Sequence, residues 1–193
     1  LAHARAMTAH SRHKTKNELF ERLLVSVTNA NMKAKVIRGS GATVQQTGDE
    51  LSEALSGYDA SKVLKAWGVG HDALLEHLKK GVTRAKDVRD SGDRSIWRQF
   101  AKSILSAAAF VESFPEVEDF YDWAVQLIKD PRNSAALPLV ISQEVFGLGY
   151  TLACDFIKES GFPGYGKPDT HIRNILIELK LCPQDAPDYV VQR

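Results

Sequence analysis

The segment from Leu139 to Glu159 leaves little choice of local structure: two short helices joined by a glycine turn. Leu152, Ala153, Phe156 and Ile157 fall on one face at helical spacing, which predicts a helix over Tyr150 to Glu159. Leu139 to Phe146, opened by Pro138, is predicted as its partner. Gly147 and Gly149 lie between them, and both permit positive φ and a close backbone approach that a side chain would block. A glycine turn opening into a helix presents outward N–H groups backed by the positive end of the helix dipole. That setting suits a phosphate and reads no base. A plain tight turn between helices would use the same residues.

Downstream, Gly161, Pro163, Gly164, Gly166 and Pro168 break the chain. Asp169 then precedes the periodic run Ile172, Ile175, Leu176 and Leu179, and is predicted as an N-cap. Eighteen residues separate Thr151 from Asp169, about one helix and a turn. A carboxylate beside a DNA-binding cleft can stabilise a sugar oxocarbenium ion as a base departs. A cap that only satisfies the helix start is the other reading of the same aspartate.

The rest of the chain carries the helical period too. Glu18 to Arg38 is amphipathic through Leu19, Leu23 and Val27, then Ala30, Ala34 and Ile37, with a break at Thr28-Asn29-Ala30-Asn31. Gly39-Ser40-Gly41 ends that run, and Gly48 to Leu55, Ser61 to Trp67 and His71 to Lys80 are predicted as shorter helices. Asp93 or Ser95 can cap a helix through Phe110 on the pattern Ile96, Trp97, Phe100, Ile104, Leu105, Ala108. Pro115 stands near the start of a helix with Phe120, Trp123, Ala124 and Leu127, whose aromatics read as core. Pro187 is expected to open a last helix. No alternating strand pattern occurs, so the fold class is all-α.

Taken together, Phe146-Gly147-Leu148-Gly149 and Pro168-Asp169-Thr170-His171 resemble the signature of the helix-hairpin-helix DNA glycosylase superfamily, the base-excision repair glycosylases. The usual form is a Pro-Gly-x-Gly hairpin followed, at this same separation, by an aspartate in a Val-Asp-Thr-His context. The resemblance runs from about Asn17 to Leu181, with its specific motifs between Val145 and Asn174. It implies two helical lobes flanking a DNA-binding cleft. It further implies that Gly147, Gly149, Tyr150 and Thr151 hold the DNA backbone, with a monovalent cation able to sit on hairpin carbonyls near the glycines. Asp169 would serve N-glycosidic cleavage of a damaged or mispaired, flipped-out base. Asn29-Ala30-Asn31 resembles the Asn-rich turn of the 8-oxoguanine branch, which fills the gap left by the extruded base. Asn29 and Asn31 each offer a donor and an acceptor to an orphaned base, or else they simply interrupt a surface helix.

Several positions depart from the family pattern. Thr151 stands where bifunctional members carry the lysine that forms a Schiff base, which implies a monofunctional enzyme using water. Phe146 replaces the hairpin proline, and Asn174 stands where arginine is frequent, beside Arg173. Family domains continue further past the aspartate than this sequence does, so part of the cleft wall is expected to lie beyond Arg193.

With 193 residues, 44% hydrophobic and 25% charged, the sequence suits one globular domain at 17–193 after a basic polar arm at 1–16. Two cysteines, Cys154 and Cys182, fall short of the four thiolates an iron–sulfur cluster needs, so no such cluster and no other cofactor is expected beyond the structural cation. His3, His10 and His13 lack a typical ligand spacing. Net charge is only +1, yet residues 1–40 hold eight lysines and arginines against two glutamates, a local +6 that leaves −5 for the rest. Such a segment favours a phosphate backbone. The expected partner is double-stranded DNA carrying a lesion or mismatch, bound by a monomer. No apolar run long enough for a membrane span is present. The expected location is cytoplasmic and nucleoid-associated, or nuclear. The alternative is a non-catalytic helix-hairpin-helix DNA-binding or scaffold protein, which near-neutral charge suits and for which Asp169 has no evident use.

Overall fold

A computed structural model describes residues 12–29, 33–41, 43–86, 88, 92 and 95–187. Among these residues there are ten α-helices and no β-strand. In order they are α1 (Lys16–Thr28), α2 (Lys33–Ile37), α3 (Thr43–Ala54), α4 (Ala60–Trp67) and α5 (His71–Gly81), followed by α6 (Ile96–Glu112), α7 (Val117–Ile128), α8 (Ala136–Glu144), α9 (Tyr150–Glu159) and α10 (Thr170–Glu178). Single 3₁₀ turns lie at Thr83–Ala85 and Pro131–Asn133.

Helix α1 begins where Thr15 accepts the Glu18 N–H through its side chain, and it stops at Asn29, whose N–H returns to Ser26 and Val27. Its apolar stripe of Leu19, Phe20, Leu23, Leu24 and Val27 is buried. The first residue of the helix and those just before it are held to the body. Lys16 pairs with Glu112 at 2.7 Å, the His13 N–H donates to the Tyr121 hydroxyl at 2.7 Å, and the Arg12 guanidinium lies over the Tyr121 ring. Burial and the His13 N–H act oppositely on that hydroxyl; burial wins and pushes its pKa up to about 12.

The central helix is α6, packed against α1, α4 and α5. Ala107 and Ala108 are fully buried on it, where small side chains let neighbouring helices come close. Ser95 is its N-cap by position but makes no side-chain cap bond, and Asp93 lies outside the described residues. Helix α7 is capped by Glu116, one residue after Pro115, through a reciprocal pair with Asp119. One continuous core runs from Leu19 to Tyr165 and includes the aromatic cluster around Phe120.

Several boundaries differ from the sequence reading. Helix α3 starts at Thr43, five residues before Gly48, because that glycine is absorbed inside the helix instead of opening it. Helix α8 starts at Ala136, so Pro138 sits in its first turn, where a missing N–H leaves nothing unpaired. The same helix ends at Glu144, two residues before Phe146. Helix α10 has the expected periodicity, yet none of its residues is buried. Ile172, Ile175 and Leu179 are exposed.

Candidate functional site

Helices α8 and α9 pack against each other around a tight turn. Val145 closes α8 by donating its N–H to Ile141, and Leu148 donates to Val145 at 3.1 Å, so residues 145–148 form a β-turn. Both corner side chains, Val145 and Leu148, are buried and pin the turn to the core. Ser106 of α6 accepts the Phe146 N–H at 2.9 Å. The Phe146 ring itself is exposed, with the Lys102 ammonium 5.9 Å from its centre.

The two glycines have different reasons to be there. Gly147 has φ +77°, a left-handed value that penalises any Cβ. Gly149 has φ −69° and ψ 168°, ordinary extended backbone, and a Cβ built on it would meet nothing within 4 Å. The expectation that both glycines serve positive φ therefore holds for Gly147 alone. Gly149 is the N-cap of α9 and leaves open space ahead of that helix. Both glycines are exposed, and among the described residues neither N–H makes a hydrogen bond. Tyr150 is half-buried against the core.

A linker carries the chain from α9 to Asp169. Gly161 turns it at φ +98°, and Phe162 and Tyr165 are buried on the body. Phe162 stacks with Tyr121 at 6.0 Å, and the Tyr165 hydroxyl donates to the Ser134 carbonyl at 2.7 Å. Burial raises the Tyr165 hydroxyl to about 12. So anchored, the linker returns to the first turn of α9. There the Thr151 hydroxyl donates to the Pro168 carbonyl at 3.5 Å, a long bond. Asp169 follows as the N-cap of α10, one carboxylate oxygen accepting the Ile172 N–H at 3.0 Å. The other oxygen makes no hydrogen bond among the described residues. Asp169 is half-buried.

Asn29 meets the next turn of the same helix. Its side-chain amide donates to Asp155 at 3.4 Å, and its oxygen accepts from Arg38 at 3.5 Å, so both ends are engaged by long contacts. Asn31 lies outside the described residues. Sequence reasoning passed over Asp155 and counted Arg22 only within the basic N-terminal segment; the two form an ion pair at 2.9 Å with side chains only 14% and 21% exposed. Their signal was a charge set among apolar neighbours: Asp155 between Cys154 and Phe156, Arg22 beside Leu23. Thr151 and Asp155 are four residues apart and share a face of α9. That face meets the Asp169 segment at one turn and the Asn29 turn about 6 Å further along.

A separate cavity of about 450 Å³ opens between α1 and α3, on another face of α1, with Glu21, Arg38, Asp49 and Tyr58 in its wall. Gly57 and Tyr58 in its wall both have positive φ, as does the preceding Ser56. Neither the hairpin nor Asp169 lines it. Among the described residues no group of three or more His, Cys, Asp or Glu side chains could hold a metal ion, and no helix is long and apolar enough to cross a membrane. No family model, curated protein or solved structure matches this chain.

Proposed function

We propose that this protein is a monofunctional DNA glycosylase acting on a damaged or mispaired base in duplex DNA. One observation carries the reading: the three segments singled out in the sequence converge on α9. Its N-terminus is the glycine turn, its first turn touches the residue before Asp169, and its second touches Asn29. In this reading the N–H groups of Gly147 and Gly149, which make no hydrogen bond among the described residues, hold a backbone phosphate with the dipole of α9 behind them. Tyr150 and Thr151 complete that grip. The target base swings out at a cost of a few kcal/mol, least for a damaged or mismatched one. Asn29, with Asn31, fills the gap. As the N-glycosidic bond breaks and the base departs with its electron pair, the Asp169 oxygen that accepts no hydrogen bond among the described residues stabilises the positive charge on the sugar; water then attacks C1′ and its proton goes to the departed base. The activity test is excision from duplexes bearing a panel of lesions, comparing the wild type with Asp169→Asn.

A second reading, a non-catalytic DNA-binding protein, draws support from Asp169 itself, since its bond to the Ile172 N–H already gives it a structural task. Binding without release of any base would favour that reading.

The glycines give a test of the phosphate grip. Gly147→Ala forces an L side chain into the left-handed region and should lower stability by about 1–2 kcal/mol in chemical denaturation. Gly149→Ser should leave stability unchanged or raise it, because serine is a favoured N-cap and its Cβ meets nothing. The same substitution fills the space ahead of α9 and should weaken duplex binding about tenfold. Full affinity in Gly149→Ser would mean DNA does not approach here.

Thr151 has no amine, so borohydride added during turnover should trap no protein–DNA adduct, as read on a denaturing gel. A trapped species would point to Lys167, two residues before Asp169, and Lys167→Gln would then abolish it.

A further inference from the structure

Resting on the glycosylase reading, we infer that Asp155 is a positioning residue that locks the Asn29 turn to the helix whose N-terminus grips the phosphate. Three donors from α1 and its C-cap converge on one oxygen of this carboxylate: Arg22 at 2.9 Å, Ser26 at 3.3 Å and Asn29 at 3.4 Å. Arg22 also donates to Ser26 at 2.9 Å, so the donors are tied to each other as well as to the acid. The cluster is mostly buried, which leaves its side chains little freedom to rearrange.

A cluster of this kind costs desolvation, and apolar packing between α1 and α9 would hold the helices together without it. What a carboxylate supplies that leucine cannot is direction. It draws the amide nitrogen of Asn29 toward α9 and turns the amide oxygen away, toward Arg38. Asn29 is the first residue after α1, where the helical bonds end and the backbone alone no longer fixes the side chain. Because Asp155 lies in the same short helix as the glycine N-cap, gap filling is held in register with the phosphate contact.

Binding measurements test this without knowledge of the excised base. The probe is a duplex with a tetrahydrofuran abasic analogue opposite 2-aminopurine, compared with the same duplex intact, each titrated by fluorescence anisotropy. The wild type should prefer the abasic duplex. Asp155→Asn should lose about tenfold of that preference while affinity for the intact duplex stays the same. A purely structural role would weaken both together. In the Asn29→Ala background Asp155→Asn should cause no further loss, because the effect runs through that amide. Additive losses, or a preference unchanged in Asp155→Asn, would overturn the inference. A wild type with no preference for the abasic duplex would instead count against the glycosylase reading. Should Asp155→Asn not fold, Asp155→Glu keeps the charge, displaces the oxygen and is put through the same comparison.

Discussion

Asp169→Asn is expected to lower base excision on the order of a thousandfold while the protein stays folded and bound to DNA. The substitution separates two jobs that one carboxylate can do. As a helix cap, asparagine serves as well as aspartate, so the bond from the Ile172 N–H and the start of α10 persist. As an anion, asparagine supplies nothing, so in the proposed mechanism the oxocarbenium-like transition state loses the negative charge assigned to Asp169. Asp169→Ala removes both and should cost about 1 kcal/mol of stability as well. Single-turnover excision, duplex affinity and thermal denaturation on the three proteins resolve the two roles. Excision in Asp169→Asn equal to that of the wild type would leave Asp169 a cap and nothing more.

The parts of this architecture written in local pattern were readable in advance. The period of Trp97, Phe100, Ile104 and Ala108 marks α6, and all four are buried there. Asp169 ahead of a periodic run marks a cap, and it accepts the expected N–H. Glycine and proline were less reliable, because each has several uses. Gly48 sits inside α3, Pro138 inside the first turn of α8, and Gly149 in backbone open to any residue. What pattern does not encode is the partner across the fold. Arg22 and Asp155 are 133 residues apart, and neither segment says that the other will meet it. Helix α10 shows the same limit from the other side: its periodicity promises an apolar face but not what lies against it, and Ile175 and Leu179 are exposed. Convergence of the hairpin, Asp169 and Asn29 on α9 is likewise a property of packing between helices.

Phe120→Ala is expected to destabilise the fold by about 3–5 kcal/mol, a large share of the roughly 5–15 kcal/mol that holds a domain together. Phe120 is fully buried, with the rings of Phe110, Phe114, Trp123 and Phe156 around it at 6.3, 5.6, 6.1 and 5.9 Å. Most of these contacts are edge-on or tilted, the arrangements aromatic quadrupoles favour. Surrounding rings are too rigid to collapse into the vacated space, so the cavity term adds to the lost transfer energy. For a chain of this length the midpoint of thermal unfolding should fall by roughly 6–20 °C. Phe120→Leu keeps much of the volume and should fall less. The contact to Phe156 links this cluster to α9, the helix on which the glycine turn, the Asp169 segment and Asn29 meet. Phe156 is fully buried whereas the glycine turn at the start of α9 is exposed, so loss of Phe120 is expected to reach the site only through unfolding. Well below its lowered midpoint the variant should bind duplex DNA like the wild type, whereas Gly149→Ser should bind weakly at every temperature. A Phe120→Ala protein of undiminished stability would mean the cluster is looser than its ring geometry requires.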